Sequence, residues 1–86
     1  MITNGTLTVG TAAIRIDGRA AGSVLLILHN NDNTDALYIG DESVTTSNGI
    51  ALAKLERIQM VLHPLEQIYV VSSKNGHTLS WLRQEN

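Results

Sequence analysis

The chain has 86 residues, no cysteine and a formal net charge of -2. A single domain of this length buries only a modest share of its unfolded surface, and without cysteine it has no disulfide or thiolate zinc site to reinforce its core. The absence of cysteine also excludes catalysis by a thiol nucleophile. Charged residues make up only 16% of the chain, below the usual quarter, so we expect a protein that assembles.

The sequence shows no pattern of a secretory signal or of a membrane span. Its longest apolar run, Val24 to Leu28, is far shorter than the roughly 20 residues that a membrane helix needs. The six lysines and arginines are scattered between acids and form no basic stripe. We therefore expect neither a membrane nor a nucleic acid as a direct partner.

The first predicted elements are strands, because apolar residues alternate or form short blocks between turn signals. Thr6 to Ile16 is predicted as one strand bent at Gly10, or as two strands. Within it, Ile14 and Ile16 point to one face and Arg15 points to the other. Alternation of this kind favours β-structure over helix.

The next predicted strand is Val24 to Leu28, after a turn at Asp17-Gly18 and a loop over residues 19–22. Because a strand turns alternate side chains to opposite faces, this run is apolar on both faces. Leaving one face in water forgoes about 1.5–3 kcal/mol for each large side chain. We predict that one alternate set lines an interface with a second subunit, the candidates being Val24, Leu25, Leu26, Ile27 and Leu28.

The middle of the chain alternates loops with short strands. Residues 29–36 are predicted as a polar loop, and residues 37–40 as a strand that ends at glycine. A short strand over residues 44–46 follows. Asn48-Gly49 is the dipeptide of a two-residue type I′ hairpin turn, so we predict a positive φ at Gly49.

Residues 56–62 are predicted as a strand that breaks at His63-Pro64, with alternate apolar side chains on one face: Ile58, Met60 and Leu62. A helix over residues 50–62 is the alternative, since good helix formers are frequent there and the apolar positions partly match a helical face.

The last strands are predicted over residues 67–72 and 78–83, joined by a tight turn at Asn75-Gly76. No internal repeat or low-complexity linker is evident. About eight short strands with this turn spacing predict one all-β domain over residues 1–86, an antiparallel β-sandwich of jelly-roll-like form.

The candidate chemical groups are three histidines and one pair of adjacent acids. His29, His63 and His77 fall at predicted strand ends or turns without a His-x-His pair, so we expect exposed histidines rather than metal ligands. Asp41-Glu42 lies in a predicted turn, where adjacent side chains point apart, so we expect no general acid-base pair there. Since no nucleophile elbow, phosphate loop or dinucleotide fingerprint occurs, we expect no catalytic, cofactor-binding or metal-binding residue and no enzyme.

The polar loop after the apolar strand is rich in oxygen ligands. It lacks the glycine and the distal glutamate of a calcium loop, so we interpret it as a turn-forming loop. A weak calcium site shared between subunits is the alternative. The residues concerned are Asn30, Asn31, Asp32, Asn33 and Asp35.

A resemblance to a known class of proteins is carried by turn glycines and strand residues in the C-terminal half. The matching segments are Leu37 to Gly40, Val44-Thr45, Asn48 to Ile50 with Leu52, Gln67 to Ser72 and Thr78 to Leu82. This half resembles the small β-sandwich modules of tailed-bacteriophage virion proteins, especially head decoration proteins and domains of head fibres. Two segments depart from that pattern: Ala51 stands where such modules often have proline, and Lys54-Leu55-Glu56 replaces a glycine-containing turn.

The resemblance implies a homotrimer on the capsid surface, made in the host cytoplasm, that cements the major capsid protein non-covalently. The alternative is a tail or head-fibre adhesin module that binds cell-surface carbohydrate, and a hydrolase-type enzyme is a distant third. The three aromatic residues separate the first two. An adhesin should cluster Tyr38, Tyr69 or Trp81 with loop acids at one exposed end, whereas a cement protein should bury them and expose apolar side-strand surface to a partner.

Overall fold

A computed structural model describes residues 2–16 and 23–85, the side chain of Glu85 excepted, so the turn and loop predicted over residues 17–22 lie outside the described residues. These ranges contain eight strands and no helix. The prediction of an all-β chain is therefore confirmed. The strands are β1 (Ile2–Val9), β2 (Ile14–Ile16), β3 (Val24–Asn30), β4 (Leu37–Gly40), β5 (Ile50–Leu52), β6 (Arg57–Leu62), β7 (Ile68–Ser72) and β8 (His77–Glu85).

The strands form two four-stranded antiparallel sheets that pack face to face. Sheet I has the order β1-β8-β3-β6, and sheet II has the order β2-β7-β4-β5. The pairs are nested, because β1 pairs with β8, β2 with β7, β3 with β6 and β4 with β5. The chain is thus one long hairpin, with its tip between β4 and β5, wound into two layers. Nested pairing of this kind is the strand order expected of a jelly roll, and the predicted sandwich of about eight strands is confirmed.

The core lies between the two sheets and is built from alternate residues of the strands. Sheet I contributes Val9, Val24, Leu26, Leu28, Leu62 and Leu79, and sheet II contributes Ile16, Leu37, Ile39, Leu52 and Val70. In β3, Val24, Leu26 and Leu28 are at most 2% exposed, whereas Leu25 and Ile27 turn outward and are half-buried. The inward set of the apolar run is therefore core, and the outward set is left on the surface of sheet I.

Several predicted boundaries agree with the strands. The segment after Thr6 forms two strands, although β1 already begins at Ile2, which pairs with Gln84 of β8. The strand predicted over residues 37–40 is β4, and the one over residues 56–62 is β6, whose inward residues include Ile58. The helical alternative for residues 50–62 is wrong, because β5 and β6 belong to different sheets and a turn separates them.

The loop between β4 and β5 differs from its prediction. Residues 44–46 form no strand, and the positive φ expected at Gly49 is absent, since Gly76 has the positive φ (76°) among the described glycines. Gly49 is needed for a different reason. A Cβ there would lie 2.7 Å from Cγ2 of Val44 and 2.9 Å from Cβ of Tyr38. Val44 is 5% exposed, so the loop folds back and packs its valine against the glycine.

Candidate functional site

The outward face of sheet I carries several apolar side chains that the core does not use. Directly opposite residues of an antiparallel pair share a face. In the register of the sheet, Leu25 is opposite Val61 of β6, and Ile27 is opposite Leu82 of β8. Ile2 of β1 lies on the same face, in the row of Leu25. We call these five residues the apolar patch: Ile2, Leu25, Ile27, Val61 and Leu82.

The apolar patch is open to solvent. Ile2 is 63% exposed and Val61 is 60% exposed, while the three central residues are half-buried by their neighbours. A groove of about 440 Å³ runs beside Ile27 and Leu82. A second groove, of about 310 Å³, lies between Leu25 and Val61. Shallow grooves between apolar side chains are the shape of surface that another protein can fill.

A polar row borders the apolar patch on the same face. Thr6, Ser80, His29 and Arg57 follow one another across the four strands of sheet I. Asn31 holds this row in place. Its Oδ1 accepts a hydrogen bond from His29 Nδ1 at 2.7 Å, and its Nδ2 donates to Ser80 Oγ at 2.7 Å. An apolar centre beside an ordered polar border is the usual anatomy of a protein interface.

Of the five residues predicted for an interface, the structure places Leu25 and Ile27 in the apolar patch. Val24, Leu26 and Leu28 lie in the core instead. The other three members, Ile2, Val61 and Leu82, are not among the residues predicted from the sequence. Strand alternation was the available signal, because it puts Leu82 and Val61 on the outward side once the inward residues of β8 and β6 are known.

A chain of buried polar side chains lies at one end of the sandwich. His77 is 1% exposed, so the prediction of an exposed histidine is wrong at this position. Its Nε2 lies 2.8 Å from Oδ1 of Asn30, and its Nδ1 lies 2.8 Å from Oγ of Ser72. The cause is strand parity, because His77 alternates with the core residue Leu79 on the inward side of β8. His63, by contrast, is exposed as predicted, and His29 is half-buried.

Ser72 and His77 of this buried network resemble a catalytic pair, but a substrate cannot reach them. Asn30 Oδ1 accepts hydrogen bonds, so His77 donates from Nε2 and Nδ1 accepts the hydroxyl proton of Ser72. Ser72 is 1% exposed, and its Oγ also accepts the N–H of Lys74 at 3.1 Å. Burial lowers the pKa of His77, which favours the neutral ring that this geometry requires. This network of buried hydrogen bonds therefore connects β3, β7 and β8 and has a structural role.

Asn30 is the centre of this network and is fully buried. Its Nδ2 lies within hydrogen-bond distance of the carbonyl oxygens of Asp35, Leu52 and Ala53, at 2.9, 3.1 and 3.2 Å. Its Oδ1 accepts from His77 and from the N–H of Asp32 at 3.0 Å. One side chain thus ties β3 to the loop after it and to the end of β5.

The oxygen-rich loop holds a lysine where the calcium alternative would need a metal ion. The ammonium of Lys74 pairs with Asp32, lies 3.0 Å from Oδ2 of Asp35 and donates to Thr34 Oγ1 at 3.3 Å. The hydrogen bond from Lys74 holds the pKa of Asp32 well below its usual range, and Asp32 in turn raises the pKa of the lysine. No group of three or more acids and histidines in the described ranges is placed to hold a metal ion. We interpret the loop as a structural turn.

Two of the three aromatic residues are neighbours, and all three are half-buried, so the burial expected of a cement protein is not seen. Tyr38 and Tyr69 are on the outward face of sheet II and are diagonal neighbours on β4 and β7. Trp81 points inward from sheet I and packs against the core. Gly5 of the edge strand makes room for its ring, since a Cβ there would lie 2.9 Å from Cζ2 of the indole. Trp81 therefore does not join the two tyrosines, because it lies on the other sheet.

Comparisons with protein-family models, with curated proteins and with solved structures found no match to this chain. In the described part of the chain, no helix is long and apolar enough to cross a membrane.

Proposed function

We propose that this protein is a phage capsid decoration protein, which assembles as a homotrimer and cements the head by binding the major capsid protein non-covalently. The observation that carries the proposal is the apolar patch of sheet I. A chain of this size with so much exposed apolar surface on one sheet is suited to assembly rather than to life as a monomer. The phage setting comes from the resemblance of the C-terminal half to head decoration modules.

The apolar patch suits the subunit interface of the trimer. Covering Ile2 and Val61, each exposed by about 60%, contributes about 1–2 kcal/mol for each side chain. Completing the burial of the three central residues adds to this. Since about 1.4 kcal/mol is a factor of ten in an equilibrium constant, each of these two side chains strengthens association by roughly five- to thirtyfold.

Assembly also explains how a small chain can cement a large shell. A trimer presents three copies of the same capsid contact, so the second and third contacts form at high effective concentration. Many trimers on one head then add their interface energies and stabilise the shell against internal pressure. This mechanism needs no reactive residue, and the buried position of Ser72 and His77 agrees with that.

The experiment compares wild type with one variant that damages the apolar patch and one matched control. Ile27→Asp places a carboxylate in the patch, whereas Thr46→Asp adds the same charge at an exposed position in the loop between β4 and β5, two strands of sheet II. Each protein is incubated with particles of the phage that encodes it, prepared without it, and cosedimented. We expect wild type and Thr46→Asp to bind and Ile27→Asp to bind at least about tenfold more weakly. Wild type that stays in the supernatant contradicts the proposal.

The carbohydrate-binding alternative has one observation in its favour, the neighbouring tyrosines Tyr38 and Tyr69 on the outward face of sheet II. Aromatic faces are the usual platform for sugar rings. The double variant Tyr38→Ala, Tyr69→Ala decides between the two functions. It leaves particle binding unchanged for a decoration protein and abolishes binding to host-cell surfaces for an adhesin.

A further inference from the structure

Two segments of the chain repeat the same sequence pattern, which the sequence analysis did not detect. Leu52–Ile58 reads LAKLERI and Leu62–Ile68 reads LHPLEQI, so both have the pattern L-x-x-L-E-x-I at a spacing of ten residues. The first leucine of each is buried at the end of a strand, and the isoleucine packs against the core at the start of the next one. The repeat therefore specifies two copies of one strand-turn-strand connection, on either side of β6.

The two turns have the same hydrogen bonds. In the first, the N–H of Glu56 donates to the carbonyl of Ala53 at 3.1 Å, and Oε1 of Glu56 accepts the N–H of Ala53 at 3.2 Å. In the second, the N–H of Glu66 donates to the carbonyl of His63 at 3.1 Å, and Oε1 accepts the N–H of His63 at 2.6 Å. Each glutamate makes two hydrogen bonds across its turn, one from its backbone N–H and one to its carboxylate, and this pair of bonds makes the turn rigid.

The third residue of each turn is a leucine in a conformation that leucine disfavours. Leu55 has φ of 57° and Leu65 has φ of 66°, and they are the described non-glycine residues with positive φ. Turns of this shape normally place glycine or asparagine there, because a side chain with a Cβ is strained at positive φ. The side chains are 56% and 59% exposed, so burial in the fold does not offset the strain. The stability of the fold therefore does not explain why leucine occupies either position.

The strained leucines lie at the two ends of β6. Both are among the five large hydrophobic residues that are strongly exposed in the described ranges. β6 is an edge strand of sheet I, and its six residues separate the turns by roughly 20 Å. Two rigid apolar tips are thus displayed along one side of the sandwich.

We propose that Leu55 and Leu65 are the anchors with which the protein binds its macromolecular partner, each inserting into an apolar pocket of a folded protein surface. The inference rests on the proposed function, in which that partner is the major capsid protein. Lys54 and Glu56 flank Leu55 and are exposed, so the pocket that receives this leucine carries both an acidic and a basic group at its rim. A fluid bilayer would accept flexible apolar tips equally well, whereas tips held by paired hydrogen bonds match a receptor of fixed shape.

The test uses the backbone strain at Leu55 and Leu65, which glycine relieves. Leu55→Gly and Leu65→Gly remove an exposed side chain at a φ that glycine adopts freely, so the melting temperature of each should stay the same or rise by about 1–5 °C. Binding to particles prepared without the protein should weaken about tenfold or more for each variant, and the double variant should not bind detectably. Leu55→Met, which keeps the apolar side chain, is the matched control and should bind like wild type.

The outcomes separate this inference from the proposed function. If wild type binds the particles and the double glycine variant binds equally well, the proposed role of the two leucines is refuted, while the decoration function is not. If wild type does not bind, both fail. A fall in melting temperature in both glycine variants would mean that the leucines stabilise the fold, which also overturns the inference. Leucine-dependent binding to vesicles of phosphatidylcholine with phosphatidylserine would overturn it in favour of a membrane surface.

Discussion

Replacing Asn30 by leucine tests whether the buried polar network holds the end of the sandwich together. Leucine has nearly the shape of asparagine but none of its polar atoms. Two of the lost hydrogen bonds are fully buried, the one from His77 Nε2 and the one to the carbonyl of Leu52. A buried donor or acceptor left without a partner costs about 1–3 kcal/mol, so these two groups cost about 2–6 kcal/mol together. The other hydrogen-bond partners of Asn30 are only partly buried and can bond to water instead, so losing them adds less to the cost.

That loss is a large share of the 5–15 kcal/mol that holds a typical domain folded. Urea unfolding followed by the fluorescence of Trp81, the single tryptophan, measures it directly. Asn33→Leu is the matched control, because Asn33 is exposed in the same loop and should change the free energy of unfolding by less than about 0.5 kcal/mol. A loss below about 1 kcal/mol in Asn30→Leu would refute the reasoning.

Two further predictions concern the fold. Gly49→Ala should lower the melting temperature by several degrees, because its Cβ would lie 2.7 Å from Cγ2 of the buried Val44 and 3.2 Å from the backbone nitrogen of Ile39; an unchanged midpoint in a thermal scan would show that the loop simply shifts. Burial lowers the pKa of His77 below 6.5, so the unfolded chain binds a proton there that the folded chain does not. Stability is therefore complete above pH 6.5 and falls as the pH falls below it, and equal urea midpoints at about pH 7.5 and about pH 5.5 would contradict the buried neutral ring.

The sequence predicts the strands of this protein well, because alternation of apolar residues is a local signal. The strand over residues 37–40 and the inward face of β6 at Ile58, Met60 and Leu62 follow from side-chain period alone. The same signal predicts that Val24 to Leu28 is apolar on both faces. It does not say which set faces the core, since that depends on how the strand pairs with β8 and β6.

The errors come from contacts between residues distant in the chain. Asn48-Gly49 has the composition of a two-residue hairpin turn, but the loop is longer and its glycine is required by the close approach of Val44. His77 looks like an exposed turn residue until Asn30, 47 positions away, provides its partner. The repeat around Leu55 and Leu65 is visible in the sequence, yet its meaning depends on φ angles that composition does not predict.

The oligomeric mass is the measurement that tests the central claim most directly, since the account rests on the apolar patch as an interface. Sedimentation equilibrium at micromolar concentration should give wild type three times the 9.3 kDa mass of the chain. Leu25→Asp puts a carboxylate into the patch and should sediment as a folded monomer, because an unpaired charge in an interface is costly. The control Thr46→Asp, in a loop of sheet II, should remain a trimer. A monomeric wild type, or a Leu25→Asp variant that keeps the trimer mass, would contradict the account.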